Sequence, residues 1–166
     1  MTRAVHGLRR LAALPMATAA LAAPAPSSAQ AADRAAAVIR EINAQRAANG
    51  LGPVRRERSL AALARAHSAH MVARRHFSHG DFEARIRHSS WARRHTAWSA
   101  AETLAWGTGR RGTPAGIVAA WMQSPPHRQI VLDPRFRVVG VGQVRGVPVS
   151  GAHGPHGRTY TADFGS

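Results

Sequence analysis

Histidine is the side chain in this sequence whose positions most clearly suggest chemistry. There are ten histidines, eight acidic residues and no cysteine. His127 follows Ser124 and two prolines and precedes an arginine. Ser124 is a favourable N-cap residue, and a proline at the first helical position needs no amide partner, so the pattern predicts a short helix from Pro125 to about Leu132. That helix would fix His127 in its first turn, where the imidazole could ligate a metal or transfer a proton.

A second group of four histidines consists of two pairs, and the two members of each pair are three residues apart. It comprises His67, His70, His76 and His79. His67 and His70 would lie side by side on a helix, as paired metal ligands do. His67, however, falls on the apolar stripe of that helix. We therefore interpret His67 as a packed core histidine rather than a ligand.

Most of the segments that surround these histidines have the apolar periodicity of amphipathic helices. Helices are predicted over 32–48, 59–75, 82–88 and 113–123, in addition to the one that carries His127. Asp33, Ser59, Asp81 and Thr113 precede or begin these segments and are expected to cap them. Residues 51–54 are predicted to be a connecting loop.

Three segments have the composition of β-strands. They are 101–106, 138–144 and 158–164, of which the last two would form a hairpin across a loop rich in glycine and proline. Helices packed around a few antiparallel strands predict an α+β sandwich.

The N-terminal residues 1–31 have the pattern of a secretory signal peptide. Three arginines precede an apolar run from Leu11 to Ala23, and Ala29-Gln30-Ala31 is a small-x-small cleavage pattern. A membrane anchor is the alternative, but this run is shorter than the roughly 20 residues needed to span a bilayer. We expect export to the medium or periplasm, with 32–166 as one domain and no disulfide to stabilise it.

The charge of the chain is strongly positive and comes entirely from arginine. All 23 basic residues are arginines, and the net charge is +15. Without the three arginines of the leader, the expected mature chain has a net charge of +12. Base composition of the genome is one explanation for this bias. Whatever its origin, the charge favours anionic partners such as lipid headgroups or envelope polymers.

Several short motifs stand in a fixed order along the chain. They are Glu41-Ile-Asn-x-x-Arg46, Ala66-His67-Ser68, Phe77-Ser78-His79, Ala101-Glu102, Trp121-Met-x-Ser124-Pro125-x-His127-Arg128, Gly140-Val-Gly142 and Asp163-Phe164-Gly165. In this order, the chain resembles the bacterial single-domain branch of the CAP superfamily, the group of cysteine-rich secretory, antigen 5 and plant pathogenesis-related proteins. The resemblance implies an α-β-α sandwich with a small antiparallel sheet between helices.

The resemblance also implies a cleft lined by two histidines and two acidic residues. By motif, His79 and His127 take the histidine positions and Glu102 takes the first acidic position. The second acidic position falls on Ser124, which leaves three candidate residues for catalysis or metal binding.

These three residues allow three kinds of chemistry. They could hold zinc or another divalent metal with water in the fourth position, act as a general acid and base, or form a buried polar network. We favour a secreted, non-enzymatic module that binds a lipid, glycan or envelope component and binds a divalent metal weakly. A metal-assisted hydrolase or peptidase is one alternative. A polyanion-binding protein that acts through its arginines is another, although no dedicated nucleic-acid motif is present.

Overall fold

Four strands form one sheet between two layers of helices in the computed structural model, which describes residues 28–152 and 156–166. The helices and strands are α1 Ser28–Ala48, β1 Arg55–Arg56, α2 Arg58–Arg74, α3 Phe82–Arg87, β2 Ala100–Gly107, α4 Pro114–Gln123, α5 Pro125–Val131, β3 Val138–Arg145 and β4 Arg158–Gly165. Short 3-10 turns cover Ala92–Arg94 and Gly109–Gly112. The predicted α-β-α sandwich is confirmed. The predicted leader falls largely on residues 1–27, outside the described residues.

The sheet has the strand order β1-β3-β4-β2. The three long strands pair antiparallel, as predicted. The sheet is nevertheless mixed, because β1 pairs in parallel with β3. The sequence analysis missed β1 because two residues are too few to show an alternating pattern.

One face of the sheet carries the main apolar core. Helices α1, α4 and α5 pack on this face, and the buried residues from β3 and β4 alternate along each strand, as antiparallel pleating requires. The strand residues in this core are Val139, Val141, Tyr160, Ala162 and Phe164. Arg46 of α1 is also buried, and its guanidinium donates to the carbonyls of Gly52, Val131, Asp133 and Phe136.

The other face of the sheet lies against α2 at unusually short range. A Cβ atom added to Gly140 would lie 2.1 Å from the backbone nitrogen of Ala61, and one added to Gly142 would lie 2.0 Å from that of Arg65. Only glycine leaves room for a helix backbone this close to a strand. The two glycines of β3 therefore set the position of α2 on the sheet.

Two helix starts differ from the prediction. Helix α1 begins at Ser28, the first described residue, so Asp33 lies inside the helix and does not cap it. The side chain of Glu57, not Ser59, caps α2 by accepting from the Ser59 amide. Glutamate is an uncommon capping residue, which is why the serine two positions later was the expected choice. Thr113 caps α4 as predicted, by accepting from the amide of Gly116.

Helix α5 begins where the prolines predict, with Ser124 in the N-cap position. The Ser124 side chain nevertheless makes no capping hydrogen bond. Pro125 and Pro126 occupy the first two helical positions, and neither has an N–H group to donate. The rigid proline backbone, rather than a side-chain cap, therefore fixes the start of this helix.

Substitution Gly140→Ala is expected to destabilise the protein. The new methyl group would overlap the α2 backbone, and overpacking of this kind costs about 1–3 kcal/mol. Gly52→Ala is the matched control, since a Cβ atom there meets nothing within 4 Å. Urea unfolding measures both free energies. Equal stability of Gly140→Ala and the wild type would contradict the close packing of α2.

Candidate functional site

Glu102 is the centre of the candidate site. It lies on β2, and its side chain is only 1% exposed. Its Oε1 accepts a 2.8 Å hydrogen bond from His79 Nδ1, and its Oε2 accepts a 2.6 Å bond from a terminal nitrogen of Arg85. A buried carboxylate is costly unless it is paired and hydrogen-bonded. Here both oxygens have a partner, so the position of Glu102 is fixed.

His79 and Arg85 come from the segment between α2 and β2. Arg85 lies on α3, and it also donates to the backbone carbonyl of His79. Asp81 caps α3 by accepting from the Ala84 amide at 2.9 Å. The His79 ring is 53% exposed, and its Nε2 makes no hydrogen bond with a described residue. His79 is therefore oriented by Glu102 on one side and open to a ligand on the other.

His127 lies in the first turn of α5, as predicted, and is half-buried. Burial lowers the pKa of His127, and the positive charge of nearby His79 lowers it further. The imidazoles of His79 and His127 are therefore close enough to interact electrostatically. Because its pKa is lowered, His127 is neutral at pH 7. His79 is bonded directly to Glu102, whereas His127 makes no hydrogen bond with a described residue. Ser124, in the position of the second acid, is half-buried.

His67 approaches Glu102 from α2, which the sequence analysis did not predict. It is buried, as expected of a core histidine, and its Nε2 donates to the Ser78 carbonyl at 3.0 Å. The same nitrogen lies 4.0 Å from Glu102 Oε2. Burial lowers the pKa of His67, partly opposed by the negative charge of Glu102. A cavity of about 410 Å³ adjoins this residue, lined also by His70, His76 and Arg85.

Asp163 is a second buried carboxyl beside Glu102. The two residues are directly opposite each other in the β2–β4 register, and Asp163 is 1% exposed. Burial raises the pKa of Asp163 well above its usual range, and the charge of Glu102 raises it further. The protonated form of Asp163 is therefore favoured relative to an exposed aspartate. Its Oδ1 has no hydrogen-bond partner among the described residues. The sequence shows this residue only as part of a terminal motif, because strand register is needed to pair it with Glu102.

The arrangement does not fit the predicted three-ligand metal set without rearrangement. No group of three or more histidine, cysteine or acidic side chains in the described part of the chain lies close enough to hold a metal ion. Both oxygens of Glu102 are already engaged, and one partner is the permanently charged guanidinium of Arg85. A divalent cation at Glu102 would have to displace that guanidinium. The imidazoles of His79 and His127 are the ligands that remain.

The raised pKa of Asp163 gives stability a specific pH dependence. The folded protein keeps a proton on Asp163 that the unfolded chain releases above about pH 4. The contribution of Asp163 to the free energy of unfolding is therefore greatest below that pH. It is lost as the pH rises through the pKa of Asp163 in the folded protein. Asp163→Asn removes this titration, so the variant should lose less stability than the wild type as the pH rises.

Denaturant unfolding between pH 4 and pH 8 measures this difference. Glu83→Gln is the control, because Glu83 is an exposed carboxylate that pairs only with Arg87 on the surface. Parallel pH profiles for the wild type and Asp163→Asn would mean that Asp163 is ionised in the folded protein.

Comparisons with known proteins agree with the motifs. The profile of the cysteine-rich secretory protein family, CAP, matches residues 39–150. The uncharacterized protein YkwD of Bacillus subtilis (strain 168) is 33% identical over 121 residues, which are 72% of this chain and 45% of YkwD. The chain thus spans less than half the length of that relative.

Solved structures share the fold at low sequence identity. An outer surface protein of Borrelia burgdorferi has a TM-score of 0.63 at 17% identity, over 81% of this chain and 92% of that protein. A cysteine-rich secretory protein of Staphylococcus aureus has a TM-score of 0.63 at 16% identity, over 83% and 40% of the two chains. An extracellular protein of Bacillus anthracis that contains an SCP domain has a TM-score of 0.59 at 20% identity, over 86% and 44%.

The family profile covers more than half of the chain, and the fold agrees with it. The resemblance inferred from the motifs is therefore confirmed: the chain belongs to the cysteine-rich secretory protein (CAP) family.

Proposed function

We propose that this chain is an exported, non-enzymatic binding module that holds a glycan of the cell envelope between His79 and His127, in the cleft that the family resemblance implies. The observation that carries the proposal is the orientation of His79. Glu102 fixes the ring through Nδ1 and leaves Nε2 without a partner among the described residues. An imidazole held in this way is a ready hydrogen-bonding group for a ligand.

The neighbouring residues suit a ligand with hydroxyl groups. The neutral ring of His127 has one nitrogen that donates and one that accepts, which matches the donor and acceptor character of a sugar hydroxyl. Phe77, two residues before His79, is 38% exposed. An exposed aromatic ring beside polar groups can pack against the apolar face of a sugar.

The same site lacks the arrangement that covalent catalysis requires. A nucleophile is normally hydrogen-bonded to the base that activates it. Within residues 28–152 and 156–166, no serine or threonine hydroxyl is hydrogen-bonded to His79 or His127. Covalent catalysis by a serine or threonine therefore has no support in this geometry, and we propose binding rather than hydrolysis.

Export is the second part of the proposal. The predicted leader at 1–31 supports it, and so do the names of relatives that are an outer surface protein and an extracellular protein. The helices of the described residues include none with the length and apolar character of a membrane span. The arginine-rich surface would favour retention near an anionic envelope.

Binding of a glycan should depend on both histidines of the cleft. Isothermal calorimetry with an N-acetylglucosamine tetramer and with soluble muropeptides tests this. Loss of one neutral hydrogen bond should weaken binding by roughly 3- to 10-fold in His79→Ala or His127→Ala. His88→Ala is the control, because His88 is an exposed histidine whose Nδ1 bonds to the Ala84 carbonyl, away from His79 and His127.

Two results would contradict this function. One is a tightly bound lipid that copurifies with the protein while both glycans fail to bind. The other is hydrolysis of either glycan that His79→Ala abolishes, which would make the cleft an active site.

Weak binding of a divalent metal is a secondary proposal for the same cleft. Zinc would use the imidazoles of His79 and His127, with water completing the coordination, because Glu102 is engaged by Arg85. Removing the guanidinium would release the carboxylate as a third ligand. Arg85→Gln should therefore tighten zinc binding measured by calorimetry, whereas His79→Ala should weaken it. Unchanged zinc affinity in both variants would exclude this site.

A further inference from the structure

Three arginines surround a cavity at the end of the sheet that is distant from Glu102. The cavity has a volume of about 540 Å³, and Arg34, Arg145 and Arg158 line it. Arg158 is five residues before Asp163 on β4, which corresponds to about 17 Å along a strand. The cavity therefore uses none of the residues of the His79–His127 cleft.

The register of the sheet forces two of these charges together. Arg145 of β3 and Arg158 of β4 are directly opposite each other. Like charges in this position destabilise a sheet. Arg34 adds a third charge from α1, and its charge and that of Arg145 lower the pKa of Arg158 in addition to the effect of burial. Three positive charges therefore lie close together around this cavity, and their mutual repulsion is unfavourable.

The described residues offer little compensation for these charges. Arg158 is 5% exposed, yet its guanidinium donates to the neutral Gln143 Oε1, at 3.1 Å, rather than to a carboxylate. Asp33 lies in the cavity lining, but no acidic side chain of the described residues forms an ion pair with Arg34, Arg145 or Arg158. Arg34 instead hydrogen-bonds the Tyr160 hydroxyl, which is neutral. Buried charges in proteins are normally paired.

Arg46 shows how this chain satisfies a buried arginine when the role is structural. It is 1% exposed, and its guanidinium donates to four backbone carbonyls between 2.9 and 3.3 Å. Arg158 has no comparable set of backbone acceptors in the described part of the chain, and it adjoins a cavity instead of packed backbone. The Arg158 donors that Gln143 does not use are therefore available to a ligand in the cavity.

We propose that this cavity is a binding site for a phosphate group, carried by a phosphate monoester or a phosphodiester. The guanidinium group presents its donors in a planar fork that matches phosphate oxygens, and the resulting charge-assisted bonds are strong. A phosphate monoester would bring up to two negative charges to the three positive ones, and a phosphodiester would bring one charge shared by two oxygens that both accept guanidinium donors. The site is independent of the function proposed for the cleft.

The first test uses the mature chain and inorganic phosphate, with sodium chloride added to keep the ionic strength constant. Arg145→Gln and Arg34→Gln each remove a charged donor, so phosphate affinity by calorimetry should fall about 10- to 100-fold. Arg40→Gln is the matched control, because Arg40 is an exposed arginine of the same helix as Arg34 and lies outside the cavity lining. Its affinity should stay within about twofold of the wild type.

The phosphate-free melting temperature gives a second readout. Because Arg145→Gln relieves the repulsion with Arg158, this variant should melt at or above the wild-type temperature without phosphate and should gain less from its addition. A merely structural role for Arg145 would lower the melting temperature instead, and that result would overturn the proposal. An equal loss of affinity in Arg40→Gln would overturn it too, since only the total charge would then matter.

The source of the phosphate group is tested separately. Poly(glycerol phosphate) and vesicles of phosphatidylcholine with or without phosphatidylglycerol present the group on a polymer and on a lipid surface. Loss of binding in Arg145→Gln but not in Arg40→Gln, for either probe, assigns that source to the cavity. Binding of both probes that is equally sensitive to all the variants would reflect unspecific attraction and would contradict the site.

Discussion

The buried carboxylate of Glu102 is the constraint on which the functional side of this molecule depends. A negative charge inside the fold requires partners on every side, and Arg85 and His79 supply them. These two bonds join β2 to the segment after α2 and so fix the exposed histidine. Burial raises the pKa of Asp163, and the charge of Glu102 raises it further. The buried charge of Glu102 therefore sets the geometry of the site and also acts on the pKa of its neighbour.

The two faces of the sheet differ in composition. The face covered by α1, α4 and α5 carries the main apolar core, whereas the face against α2 carries Glu102 and Asp163. That second face can approach a helix closely only because β3 presents Gly140 and Gly142 to it. The short distance brings His67 of α2 to within 4.0 Å of Glu102. The close packing of the α2 backbone on β3 therefore helps to position the polar residues around Glu102.

Local sequence patterns predicted most of the fold because helices and long strands are encoded by neighbouring residues. The prolines before His127 are an example, since they fix the start of α5 without any distant contact. The strand β1 and the cap of α2 were missed, because a two-residue pairing and a glutamate cap leave little local signal. His79, Glu102 and His127 could be named from motifs. Arg85 and Asp163 could not, because their roles arise from an ion pair across 17 residues and from strand register.

The high arginine content of the chain could reflect a compositional bias or specific roles of individual arginines, and the structure distinguishes the two for particular residues. A compositional bias alone would place arginines where charge costs least, on the solvated surface, and many of them are there. It does not explain Arg46 and Arg158, which are both buried. Arg46 is explained by its carbonyl partners, which join α1 to the segment after α5. Arg158 has no such explanation within the described part of the fold, and the arginine opposite it makes its position less favourable. The Arg158 guanidinium donates to Gln143 and lines a cavity, which is the basis of the phosphate site proposed above.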